Sequence, residues 1–243
     1  MKKLILALCL VFASVNAEEI TVLAAASLKF VLEDIKAEFL KDRKGDKIEV
    51  SYIASGKAYN QIINGSPAQF FIAADADYPQ KLYDEKKTSD KPVNYSNGKL
   101  VLVSYDKSLK IDSLEVLKDD KITKIALPNP KLAPYGVAGE QALQKSKLYD
   151  AVKGKIVLGE NIGQAMHYIK TKNAKIGFNA LSMVIKDKDA NYYEVDSSLY
   201  EPIAQAMVIT EAGKNSKLAK DFKAYILGKK AQEIFAAYGY DKP

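Results

Sequence analysis

The chain has 243 residues, 48% of them hydrophobic, with a formal net charge of +6, one cysteine, one histidine and no tryptophan. That length supports one large domain or two lobes of about 100 residues each. A single cysteine excludes a disulfide framework and a thiolate metal site, and lysines interspersed with acids, as in Leu117-Lys118-Asp119-Asp120-Lys121, argue against a nucleic-acid interface.

Residues 1–17 read as a secretory signal peptide and not as part of the fold. Lys2 and Lys3 form the charged start, Leu4 to Phe12 the short apolar core, and Val15-Asn16-Ala17 the small-x-small ending, with cleavage expected between Ala17 and Glu18. The apolar run falls short of the roughly 20 residues a bilayer span needs. Cys9, flanked by Leu8 and Leu10, makes a poor lipid-attachment site, so the product is expected to be a soluble periplasmic protein without cysteine. The excess of basic residues, nearly all lysine with Arg43 the sole arginine, then reads as a solvated surface mildly attractive to anions.

From there, strand-like and helix-like segments alternate. Strands are predicted at 20–24, 48–53, 70–73, 100–104, 123–127, 155–158, 175–178 and 203–209. Helices are predicted at 28–41, 57–64, 78–86, 136–147, 162–171, 180–186, 215–227 and 230–238. This order implies an α/β fold with helices covering mainly parallel sheets. Two apolar runs, Lys99–Val103 and Ile203–Ile209, read either as crossings between two lobes or as central strands of one sheet. On the first reading, lobe one is 18–100 plus 205–243, lobe two is 101–204, and the crossings form a hinge.

Four helix starts carry the chemistry. Ile20 to Leu23 ends in Ala24-Ala-Ala, and Ser27 then stands as a cap before the helical pattern Leu28, Val31, Leu32, Ile35, Phe39. After the strand Ile48–Tyr52, Ala54-Ser55-Gly56-Lys57 repeats the device, with Gly56 permitting close backbone approach. Pro134-Tyr135-Gly136 and Glu160-Asn161-Ile162-Gly163 open two more helices. Helix N-termini expose unpaired N–H groups and about half a positive charge. In open α/β sheets ligands sit beyond the carboxyl ends of strands, where these turns fall.

Ala24-Ala-Ala-Ser27-Leu28, Ala54-Ser55-Gly56, Phe70-Phe-Ile-Ala-Ala-Asp75 and the closing Ala231-Gln-Glu-Ile-Phe235 with Tyr238-Gly239-Tyr240 resemble the periplasmic molybdate-binding proteins, the substrate-binding subunits of molybdate ABC importers. The likeness runs over essentially all of the chain beyond the leader. It implies a two-lobed periplasmic-binding-protein fold of type II kind, closing its interlobe cleft on a tetrahedral oxyanion, molybdate or tungstate. It further implies a monomer that delivers to a membrane permease and its ATPase, with no enzymatic activity and no cofactor. The only metal is then the centre of the oxyanion.

Residue by residue, the resemblance implies that Ser27 and Ser55 donate through hydroxyl and backbone N–H, and Tyr135 and Ile162 through backbone N–H. The family's fifth donor, a tyrosine hydroxyl shortly after Lys175-Ile-Gly177-Phe178, is missing because Ala180 stands there. Tyr135, Tyr59 and Lys57 are the candidates to replace it.

Elementary chemistry agrees with a donor-only site. Molybdate, tungstate and sulfate are dianions near pH 7 that only accept hydrogen bonds, so their site should lack carboxylates. The first three turns contain none, and only Glu160 flanks the fourth. The alternatives are a receptor for another oxyanion such as sulfate, or an exported α/β enzyme. His167, the lone histidine, reads as structural, which weighs against a Ser-His-Asp hydrolase. Asp75, Asp77, Asp84 and Glu85 lack the glycine and closing glutamate of a calcium loop, so Asp75 is expected to cap the helix after it.

Overall fold

A computed structural model describes residues 17–243; the segment read above as a signal peptide, with Cys9, lies outside the described residues apart from Ala17. β1 (Glu19–Ala25) is buried on both faces from Val22 onward, as expected of a central strand flanked by helices. It pairs in parallel with β2 (Lys47–Ile53) and with β3 (Phe70–Ile72). The connections are α1 (Lys29–Leu40) and α2 (Ser55–Ile63), and α3 (Asp77–Asp84) follows β3. The sheet is completed by β4 (Val93–Gly98) and, much later, β10 (Ile203–Ile209), in the order β2-β1-β3-β10-β4.

The intervening chain builds a second five-stranded sheet on the same plan. β5 (Leu100–Ser104), β6 (Ile125–Pro128), β7 (Ile156–Gly159), β8 (Ile176–Ala180) and β9 (Asn191–Glu194) lie in the order β7-β6-β8-β5-β9. α4 (Pro134–Lys145), the short α5 (Tyr149–Val152) and α6 (Ile162–Lys170) join them, and α7 (Lys217–Leu227) and α8 (Lys229–Ala237) return to the first sheet.

Neither apolar run straddles the two sheets. β5 pairs wholly with β8 and β9, and β10 wholly with β3 and β4. The chain crosses instead at Lys99 and along residues 195–202. Each crossing delivers a strand that runs against its neighbours, so both sheets are mixed, a parallel trio extended by antiparallel pairs. The sequence expectation of mainly parallel sheets missed this because β4 and β9 escaped notice. Asn94, Ser96, Asn97 and Gly98 disfavour a strand by composition, and Asn191–Glu194 is short. Both are edge strands, where pairing on one side suffices.

The helix expected at 180–186 is also absent. β8 extends through Ala180, and only a 3₁₀ turn, Leu181–Met183, follows. The predicted helices 28–41, 57–64, 78–86, 136–147, 162–171, 215–227 and 230–238 are present with ends shifted by a residue or two. No helix among the described residues is long and apolar enough to cross a membrane.

The first lobe's core centres on Phe222 of α7. Its ring lies 5.0 Å from Phe39 on α1 and 6.2 Å, edge-on, from Phe70 on β3, locking two helices to the sheet. At the C-terminus, Asn97 and Asp241 exchange two backbone hydrogen bonds of 2.9 and 3.0 Å, which ties the tail to β4 beside the first crossing. Phe222→Ala should cost about 3–5 kcal/mol, read as a lower urea midpoint with an unchanged slope.

Candidate functional site

The four helix starts meet. Ser27, Ser55, Tyr135 and Ile162, two from each sheet's lobe, line one cavity together with Ala25, Ala26, Ile53, Ala54, Ala74, Ala133, Pro134 and Asn161. About 210 Å³ of space not filled by protein atoms, open solvent included, lies between these groups. No carboxylate is in its wall. The occupant this space suits is small and accepts hydrogen bonds.

The local reasons differ from those the sequence implied. Ser27 does not cap α1. It sits in the middle of a 3₁₀ turn, Ala26–Leu28, that runs directly into the helix, so no capping bond forms. The residue is 2% exposed and its Oγ, fully buried, has no hydrogen-bond partner. A buried hydroxyl left unpaired costs about 1–3 kcal/mol, and an acceptor placed in the cavity would relieve that cost.

The Ser27 carbonyl, by contrast, is well held. Ser182 Oγ donates to it at 2.9 Å, and Tyr240 Oη lies 3.2 Å from the same oxygen. Ser182 comes from the second lobe and Tyr240 from the tail, so this bond spans the two lobes.

Ser55 is likewise the first residue of α2 and not its cap, which is Ala54. Its buried Oγ accepts the Ala74 N–H at 3.0 Å. With that lone pair taken, the hydroxyl hydrogen remains available to donate. Gly56 N–H crosses to Leu132 O at 2.9 Å in the opposite lobe. A Cβ on Gly56 would meet Leu132 O at 3.0 Å and the Tyr78 hydroxyl at 2.5 Å.

Tyr135 follows Pro134 in the first turn of α4, and Ile162 opens α6. Backbone N–H groups there have no acceptor within their helix. Asn161 caps α6 by accepting Gln164 N–H at 3.0 Å, leaving the Ile162 amide at the tip. The Tyr135 phenol points elsewhere. Gln205 Nε2 donates to it at 3.1 Å, and Gln205 Oε1 in turn accepts from Tyr95 at 2.8 Å. Burial drives both phenols well above the usual tyrosine range, so they stay neutral.

None of the three candidates for the missing tyrosine hydroxyl is aimed into the cavity without another partner. Tyr135 Oη is held by Gln205, Tyr59 Oη donates to Glu85 at 2.7 Å, and Lys57 Nζ pairs with Glu160 at 2.5 Å. Ala180, at the end of β8, contributes no side-chain donor. Glu160 is turned to Lys57, which removes the one carboxylate the sequence placed close to the site.

Among the described residues no group of three or more potential ligands could hold a metal ion. Asp75 stands one residue before the cap of α3, which is Ala76, and its Oδ1 accepts Tyr78 N–H at 2.7 Å. Its Oδ2 is buried and unpaired. Burial, with Asp77 adding repulsion, pushes this carboxyl up to about 6.

Two predictions follow from this geometry. Asp75 holds its proton more tightly folded than unfolded, so its ionisation erodes stability as pH rises from about 4 through 6. Asp75→Asn should therefore raise stability by about 2 kcal/mol at pH 7.5 and by little at pH 4, measured by urea unfolding at both pH values. Gly56→Ala should leave the melting temperature nearly unchanged yet weaken ligand affinity about tenfold or more, checked by calorimetry, because the added methyl opposes closure on Leu132.

The chain is similar to known proteins over nearly its whole length. A family model described as bacterial extracellular solute-binding protein matches residues 20–241. The molybdate-binding protein ModA of Azotobacter vinelandii is 40% identical over 229 residues, covering 93% of this chain and 90% of that one. ModA of Rhodobacter capsulatus is 34% identical, covering 92% and 88%. The solved Azotobacter vinelandii periplasmic molybdate-binding protein superposes with a TM-score of 0.87 at 33% identity, covering 92% of this chain and 99% of that one. The sulfate-binding protein SubI of Mycobacterium tuberculosis, at 13% identity and a TM-score of 0.76, shares the fold alone.

Proposed function

Since the chain belongs to the bacterial extracellular solute-binding protein family, we propose that it is the periplasmic molybdate-binding receptor of an ABC importer, that it also takes tungstate, and that it hands its cargo to a membrane permease with its ATPase. The protein performs no covalent chemistry in this reading and works as a monomer without a cofactor. The observation that carries it is the carboxylate-free cavity where helix starts from both lobes meet around the unpaired Ser27 hydroxyl.

Ser27 and Ser55 would donate from the first lobe, and the Tyr135 and Ile162 amides from the second. Hydrogen bonds to an ionised acceptor contribute roughly 1.5–3 kcal/mol each. About five of them, less the costs of closure and desolvation, fit a submicromolar dissociation constant, about −8 kcal/mol or better. Because the donors are split between lobes, only the closed form offers them all. Ligand then shifts the open–closed equilibrium toward closure.

A rigid cage of donors discriminates on radius, and sulfate is the smaller sphere. Titration calorimetry with sodium molybdate, tungstate and sulfate should rank the first two well ahead of the third. Sulfate binding as tightly as molybdate would reject the assignment. Replacing Ser27 and Ser55 together by Ala should weaken molybdate binding by about two orders of magnitude or more, and an unchanged dissociation constant would remove both serines from the site.

A further inference from the structure

Lys57 is a lysine in the first turn of a helix, where the macrodipole disfavours positive charge. It occupies the third position of α2, two residues after Ser55. Across the cleft, Glu160 stands two residues before Ile162, next to the cap of α6. Their side chains meet at 2.5 Å, with 46% and 40% of each exposed. Each partner is thus within two residues of a cavity-lining group, and each belongs to a different lobe.

Resting on the anion-binding reading above, we propose that Lys57 and Glu160 are positioning residues for the bound anion: a cross-cleft ion pair that forms on closure, holds the mouth shut and sets the residence time of the ligand. The neighbouring Gly56–Leu132 bond, 2.9 Å long, fixes the two rims in register, so the pair forms only when the helix tips are together. Lobe separation of a few ångströms breaks it.

The pair also resolves a conflict of charge. A carboxylate beside a dianion repels it, and an ammonium at a helix start repels the helix. Paired, the two cancel at the mouth and leave the donor cage to act. Parted, Lys57 presents its charge beside the half-site formed by Ser55. It then attracts an incoming anion before Glu160 swings over to neutralise it.

Removing either partner therefore breaks the latch, and removing the second adds little. An exposed pair contributes modestly, so the coupling should appear as about a two- to fivefold change in dissociation rate. Stopped-flow tyrosine fluorescence with sodium molybdate, at low and high salt, reads both rate constants; the chain has fifteen tyrosines and no tryptophan to mask them. Both side chains are exposed, so the variants should fold, and unchanged melting curves check this.

Lys57→Met should speed molybdate release about fivefold and slow its capture at low salt. Adding Glu160→Gln should leave release faster than wild type but no faster than in Lys57→Met, because the latch is already broken, whereas the swap Lys57→Glu with Glu160→Lys should return release to within about twofold of wild type. A Lys57→Met release rate equal to wild type, or additive effects of the two single variants, would overturn the latch while leaving molybdate binding intact. Failure of the wild-type protein to bind molybdate at all would instead remove the reading of the site, and the latch with it.

Discussion

A helix that begins at a cleft leaves its first N–H groups without acceptors in its own backbone, and they must find acceptors elsewhere or stay unpaired. In this protein helix starts from both lobes line one shared cavity. The same cavity holds a buried serine hydroxyl with no partner. Several donors and no carboxylate form an arrangement that an acceptor-only guest completes. The rest of the architecture serves to bring those tips together. Two sheets of like plan set their strands' carboxyl ends toward a shared cleft, and two crossings let the halves approach.

Closure is stitched by contacts of different strength. Ser182 on the Ser27 carbonyl and Gln205 on the Tyr135 phenol are buried and neutral. Lys57 with Glu160 is exposed and charged. Buried neutral bonds are insensitive to salt and fix geometry, whereas the exposed pair is screened and responds quickly. A receptor that must hold its cargo and yet release it benefits from that division.

The fold was legible where side chains repeat with a clear period. The strands at 20–24, 48–53 and 203–209 and the helices around them follow from burial patterns that local sequence carries. β4 and β9 did not show, because an edge strand needs no apolar alternation, and Asn94, Ser96 and Gly98 read as a loop. Residues 180–186 are apolar at helical spacing, yet β8 continues through Ala180 to pair with Leu100, a tertiary contact the local pattern does not contain.

The turns that line the cavity were legible for a related reason. Small residues before a serine, after a strand, mark a place where backbone is approached closely, and that signal held even though neither Ser27 nor Ser55 caps its helix. The Lys57–Glu160 pairing was not legible, since 103 residues separate the partners and only the folded chain joins them. The account is tested most directly by a crystal grown with molybdate and the anomalous signal of its metal. It predicts one peak in the cavity between the lobes, with Ser27 Oγ, Ser55 Oγ and the Tyr135 and Ile162 amides within hydrogen-bond reach of the oxygens. A peak elsewhere, or a cavity that stays empty at saturating ligand, would contradict it.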